Sequence, residues 1–148
     1  MSYIYKALLT PDPDGGFVVT FPDVPEAITG GETRAKALEM AEDALTVALL
    51  GRLDDEAALP IAAASGGALV SVAVPARFAA KIALIEAFRA AQAKDPAISQ
   101  SELARKLGVD HKEIRRRLDP DHKTKLPALE ETLKALGKRL VVSVEDAA

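Results

Sequence analysis

The chain has 148 residues, nearly half of them hydrophobic, enough to pack one ordinary domain or two small ones. It contains no cysteine, which excludes disulfides, thiolate zinc sites and cysteine nucleophiles and suits a reducing cytoplasm; no long apolar run or cationic leader predicts a membrane span or a signal peptide. The net charge of −3 hides an asymmetry: residues 1–60 hold four basic and eleven acidic side chains, residues 97–140 eleven basic and seven acidic, so two halves with different partners are expected.

Tyr3 to Leu9 alternates as a strand, with Tyr3, Tyr5, Ala7 and Leu9 on one face. Thr10 to Gly16 is turn chemistry, its prolines stopping a ladder and its glycines permitting a sharp reversal. Phe17 to Phe21 resumes the alternation, so the pair reads as a β-hairpin, and Pro22-Asp23-Val24-Pro25 ends it. Glu26 to Thr29 is a short third strand before Gly30-Gly31. Thr33 is an N-cap for an alanine-rich helix running to about Arg52, with Leu38, Ala41, Leu45, Ala48 and Leu49 as its apolar stripe. After a loop containing Pro60 and Ser65-Gly66-Gly67, Leu69 to Val74 is a fourth strand, giving the order βββαβ.

Pro75 closes that strand and can open the next helix, where its missing N–H costs little, so a domain boundary is placed there: residues 1–74 and 75–148. Ala76 to about Ala93 is helical, with Phe78, Ile82, Ile85 and Phe88 on adjoining turns. Residues 99–118 then hold two short helices around Gly108. Ser99 with Glu102 and Asp110 with Glu113 each have the spacing of a capping box. Pro127 to Leu136 is a further helix stopped by Gly137, and Lys138 to Glu145 is a C-terminal strand. The fold class is α+β.

Two capped helices about a glycine turn are the pattern of a helix-turn-helix, which places its second helix in the DNA major groove. Leu103, Ala104, Leu107, Val109, Ile114 and Leu118 form the inward set. His111, Lys112, Arg115 and Arg116 remain as the outward set of the second helix, available to base edges or phosphates. Gln100 at the start of the first helix, and His122, Lys123 and Lys125 in the following loop, are candidate backbone contacts. A terminal strand without a partner in a helical domain is a candidate for pairing between two copies, as a homodimer or higher oligomer.

No catalytic, cofactor or metal site is expected. Asp12 and Asp14 suit a turn better than a metal-dependent nuclease centre, and Asp23 lies in a proline-bounded loop. The two histidines, His111 and His122, lack the neighbours that zinc or acid–base catalysis would need. The glycine pairs match no phosphate loop.

Together GFVVTFPDVP, the Gly30-Gly31-Glu32-Thr33 step, VPARFAAKIALIEAF, SQSELARKLGV, RRRLDPDHKTKL and ALGKRLVV resemble the HicB family of antitoxins, in the subgroup that carries a helix-turn-helix. The likeness runs nearly the full length; Lys94-Asp95-Pro96, a somewhat long connection between helices, departs from it. The resemblance implies a non-enzymatic cytoplasmic protein whose N-terminal domain, a partial ribonuclease-H-like fold, silences a HicA-type mRNA-cleaving toxin. It also implies that the C-terminal domain binds operator double-stranded DNA and represses the shared operon. The toxin contacts do not follow from any motif; the helix at 33–52 and the sheet edge are the candidates. The rival reading is a stand-alone helix-turn-helix repressor whose N-terminal domain senses a ligand or oligomerises.

Overall fold

The computed structural model describes residues 2–147, and these form a mixed α+β molecule of two compact units: residues 2–75 with 146–147, and Ala76–Glu145. No helix among the described residues is long and apolar enough to cross a membrane.

The first unit is a four-stranded antiparallel sheet with one helix packed on it. Strand β1 (Ile4–Pro11) and strand β2 (Phe17–Thr20) form the expected hairpin, with Leu9 opposite Val19 and Pro11 opposite Phe17. Asp12 closes the turn: its carboxylate accepts from the Asp14 N–H at 2.9 Å. Strand β3 (Ile28–Gly31) pairs with β2, and strand β4 (Val70–Ala73) pairs with β1, so the order is β3-β2-β1-β4. The third strand begins two residues later than the sequence suggests. Successive turns, Val24 N–H to the Phe21 carbonyl and Ala27 N–H to the Val24 carbonyl, occupy the stretch before it.

Helix α1 (Arg34–Asp54) is capped by Thr33, whose hydroxyl accepts from the Lys36 N–H at 3.1 Å. It buries Ala37, Ala41, Leu45, Leu49 and Leu53, while Tyr3, Tyr5, Ala7, Val19 and Phe21 are the buried residues of the strand segments. The expected stripe is therefore rotated slightly: Leu38 and Ala48 are only half-buried. Its small residues let helix and sheet lie close. A Cβ on Gly31 would sit 2.5 Å from the Ala37 backbone nitrogen, so only glycine suits the point where β3 meets the first turn of α1.

The irregular segment between α1 and β4 is tied down by side chains. The Asp23 carboxylate accepts from the Ala63 and Ala64 N–H groups at 2.9 and 2.8 Å, and the Tyr5 hydroxyl donates to the Pro60 carbonyl at 2.8 Å. Arg52 grips Glu26 along one guanidinium edge, Nε and Nη2 donating to the two carboxylate oxygens, and that pairing holds the Glu26 carboxyl below the usual carboxylate range.

The second unit is four helices: α2 (Ala76–Lys94), α3 (Gln100–Leu107), α4 (His111–Arg117) and α5 (Leu126–Ala135). Two apolar clusters hold them. Ala80 and Leu84 of α2 meet Leu129 and Leu133 of α5; Phe88 of α2 meets Leu103, Ala104 and Ile114 of α3 and α4. Leu118 and Leu136 pack against both. Arg117 is buried with them. Its guanidinium donates to Glu113 at 3.0 Å, to Glu131 at 2.9 Å and to the Thr132 hydroxyl at 3.0 Å, joining α4 to α5.

The C-terminal strand does not form. Residues 138–147 carry no regular structure; Leu140 rests on the Leu84–Leu129–Leu133 cluster, while Val141, Val142 and Val144 are 77%, 74% and 96% exposed. A strand exists only by pairing, and an all-helical unit offers it no edge.

Two pairs of substitutions test this packing by chemical denaturation. Gly31→Ala should destabilise the first unit by about 2 kcal/mol through its backbone clash, whereas Gly51→Ala, in helix α1 with open space around it, should stabilise by about 0.5–1 kcal/mol. Arg117→Met should cost the second unit about 2 kcal/mol, and Arg116→Ala, on the exposed face, less than about 0.5 kcal/mol.

Candidate nucleic-acid interface

Local chemistry fixes the two short helices. The Ser99 hydroxyl accepts from the Glu102 N–H at 3.1 Å, and the Asp110 carboxylate accepts from the Glu113 N–H at 2.7 Å, so each helix starts on its expected cap. The reciprocal halves of the capping boxes are not used. Glu102 pairs with Arg105 and Glu113 with Arg117, because each arginine lies one turn further on and offers a charged partner. Gly108 turns the chain with φ +66°, and the Val109 N–H reaches back to the Ala104 carbonyl at 3.1 Å.

Burial of Ile114 and Arg117 on α4 decides what faces out. Residues three apart share a helix face, so turning 114 and 117 inward leaves Lys112, Arg115 and Arg116 facing out, and His111, the first residue of the helix, is exposed as well. Lys112, Arg115 and Arg116 line one open depression together with Gln100, Leu118 and Asp119. Four of the candidate contacts, from two consecutive helices, are thus brought together. His111 is exposed beside them, with its Nε2 2.7 Å from the Ser101 hydroxyl, a contact that ties it to α3. His122 sits half-buried in the following turn, its N–H donating to the Asp119 carbonyl at 3.2 Å. Lys123 and Lys125 are exposed on that loop, and Lys125 is the residue from which α5 starts. His122, Lys123 and Lys125 do not line the depression.

The face is cationic and rests on a polar anchor that sequence reasoning missed. Lys81, on α2, is only 4% exposed. Its ammonium donates to the Arg116 carbonyl at 3.0 Å, the Arg117 carbonyl at 2.8 Å and the Thr124 hydroxyl at 2.6 Å. Those carbonyls belong to the last turn of α4, which carries partial negative charge; the Arg116 carbonyl also accepts from the Asp119 N–H at 3.2 Å. Burial pushes the Lys81 pKa down to about 8, opposed by the carboxylates of Asp119 and Glu113. A signal was present: Lys81 shares its face with Phe78, Ile85 and Phe88, where a solvated lysine is out of place.

In the first unit the carboxylates considered for metal chemistry have other work: Asp12 holds a turn and Asp23 a loop. Among the described residues no group of three or more His, Asp or Glu is placed to hold a metal ion. The two candidate partner surfaces are open. The outer face of α1 presents Glu39, Glu42 and Asp43 around Val47, which is 65% exposed; the edge strand β3 presents Ile28, 64% exposed.

The sequence profile of the family described as "HicB_like antitoxin of bacterial toxin-antitoxin system" matches residues 4–83. The chain is 40% identical to Antitoxin HicB of Escherichia coli (strain K12) over 136 residues, covering 92% of this chain and 95% of that one. It is 38% identical to Antitoxin HicB 1 of Photorhabdus laumondii over 141 residues, 95% and 86% of the two chains. With Antitoxin HicB of Pseudomonas fluorescens it shares 34% identity over 144 residues, 95% and 94%. A match over more than half of the sequence, and identities near 40% over nearly all of it, settle the descent of both units: the chain belongs to the HicB-like family of antitoxins of bacterial toxin–antitoxin systems.

Proposed function

We propose that this chain is a cytoplasmic, two-domain antitoxin and autorepressor. Residues 1–74, read as a partial ribonuclease-H-like domain, bind and silence a HicA-type mRNA-cleaving toxin. Residues 75–148, read as a helix-turn-helix domain, bind operator DNA. The observation that carries the DNA reading is the convergence of Gln100, Lys112, Arg115 and Arg116 on one open face of α3 and α4.

The mechanism is steric on both sides. Helix α4 enters the major groove; Arg115 and Arg116 reach base edges or phosphates, with Lys112, His111 and Gln100 beside them. His122, Lys123 and Lys125 add contacts to the sugar–phosphate backbone. On the other unit, the acidic surface of α1 and the edge of β3 suit a basic RNA-binding partner, whose RNA site they would cover. One helix-turn-helix reads few bases, so two copies are needed to span successive turns of the duplex, about 34 Å apart. Pairing of residues 138–145 between two copies would give Val141, Val142 and Val144 the cover they lack within one chain.

Three measurements separate these parts. Arg115→Ala and Arg116→Ala should each weaken binding to a duplex from the chain's own promoter by about tenfold or more, with unchanged melting temperature and unchanged rescue of growth when co-expressed with the neighbouring toxin. Val47→Glu or Ile28→Glu should do the reverse, abolishing rescue while leaving DNA binding intact. Replacing Val141, Val142 and Val144 together by serine should shift the molar mass in light scattering toward the monomer. Full operator affinity in both arginine variants would refute the DNA reading.

A further inference from the structure

Helix α4 has seven residues, roughly 10 Å of helix, and its C-terminal end carries no capping side chain of its own. That end is instead held by Lys81, reaching from α2 with all three ammonium hydrogens engaged. Two of the acceptors are the carbonyls of Arg116 and Arg117; the third, Thr124, lies between Lys123 and Lys125 on the loop that follows. One buried cation therefore locks both the end of the DNA-facing helix and the basic loop beyond it to the body of the unit. We propose that Lys81 is the positioning residue of the DNA-binding face: it touches no DNA, and its protonated form sets the orientation of α4 and of the 119–125 loop on which operator affinity depends. The inference rests on the DNA reading given above.

The fit is to an ammonium and not to an amine. A charged lysine has three donors for three oxygens. A neutral amine has two donors and a lone pair that would face the remaining oxygen, and its bonds are weaker. The surrounding charges are Glu113, Arg116 and Arg117 on α4, Asp119, Lys123 and Lys125 on the loop, and Glu131 of α5 held through Arg117. Because the Lys81 pKa lies near 8, against 10.5 for a free lysine, the unfolded chain holds this proton more tightly than the folded one between those values. The contribution of this group to folding stability therefore rises as pH climbs through that window. Operator affinity should fall over the same window, as the α4 end and loop loosen. The opposite directions distinguish positioning from mere support of the fold. The second unit contains no tyrosine or cysteine to titrate in the same range.

The test is operator binding by the full chain, at constant ionic strength from pH 7 to 9.5, with melting temperature followed in parallel. Wild-type affinity should fall by about fivefold across the range, and relative to Lys81→Met its stability should not fall. Lys81→Met should bind about tenfold more weakly at pH 7, with a flat profile. Thr124→Val, which removes one acceptor and keeps the shape, should move the inflection to lower pH, and it keeps the question open to measurement should Lys81→Met fold poorly. If Lys81→Met and Thr124→Val retain wild-type affinity and profile within about twofold, Lys81 does not position the face. A wild-type affinity that declines only in step with its melting temperature would overturn the inference as well. Wild-type protein that binds no operator at all would overturn the DNA reading, and this inference with it.

Discussion

A helix of seven residues cannot hold a direction by itself. Isolated helices shorter than about 12–15 residues are marginal in water, and α4 is half that length. Its orientation is imposed by what it is fastened to: Ile114 in the cluster with Phe88, Leu103 and Ala104, Arg117 on the side chains of α5, Lys81 on its last carbonyls, and the Asp110 cap at its start. Everything the outward face can do depends on these four fastenings. Helix α5 is secured to the same body, since Lys106 of α3 donates to its Ala135 carbonyl at 2.9 Å. Apolar contact alone would leave α4 free to rotate about its axis. The buried cations fix the rotation because hydrogen bonds are directional where hydrophobic burial is not.

The first unit solves a different problem with smaller residues. Its sheet is narrow and needs a cover on one face, and α1 provides it by close approach: Ala37 and Ala41 are fully buried, and Gly31 gives way to the helix backbone. The cost of that design is a helix apolar on more than one side, with Val47 left open to solvent among acidic neighbours.

Much of this was legible in the sequence where one residue type had one physical use. Ser99, Asp110, Thr33 and Gly108 mark helix ends because few other residues satisfy those backbone groups, and all four stand where their chemistry requires. Alternation located β1, β2 and β4 because a sheet with one covered face demands it. The beginning of β3 was hidden, since turn bonds after Phe21 and the close approach at Gly31 are tertiary facts. The C-terminal run of valines reads as a strand by propensity, yet a strand depends on an edge that a sequence window does not contain. The candidate contacts on α3 and α4 followed from helical period once the inward set was known. Lys81 and Arg117 were hard to find because a cation inside a helix pattern usually means solvent. Both are buried because carbonyls, carboxylates and a hydroxyl from other elements meet them there.

The clasp on the segment between α1 and β4 bears on how the first unit assembles. Pairing of β1 with β4 joins residues more than sixty positions apart, Ile4 with Ala73, whereas β1 and β2 meet across a turn of a few residues. Local pairing closes a small loop and long-range pairing a large one, so the hairpin is favoured early and β4 late in folding. Asp23, Tyr5 and Arg52 shorten that last search: once they hold Ala63, Ala64, Pro60 and Ala58, the chain from there to Val70 is nearly in place. The irregular segment thus serves as a folding tether, and the edge strand β4 is the part of the sheet whose arrival it governs.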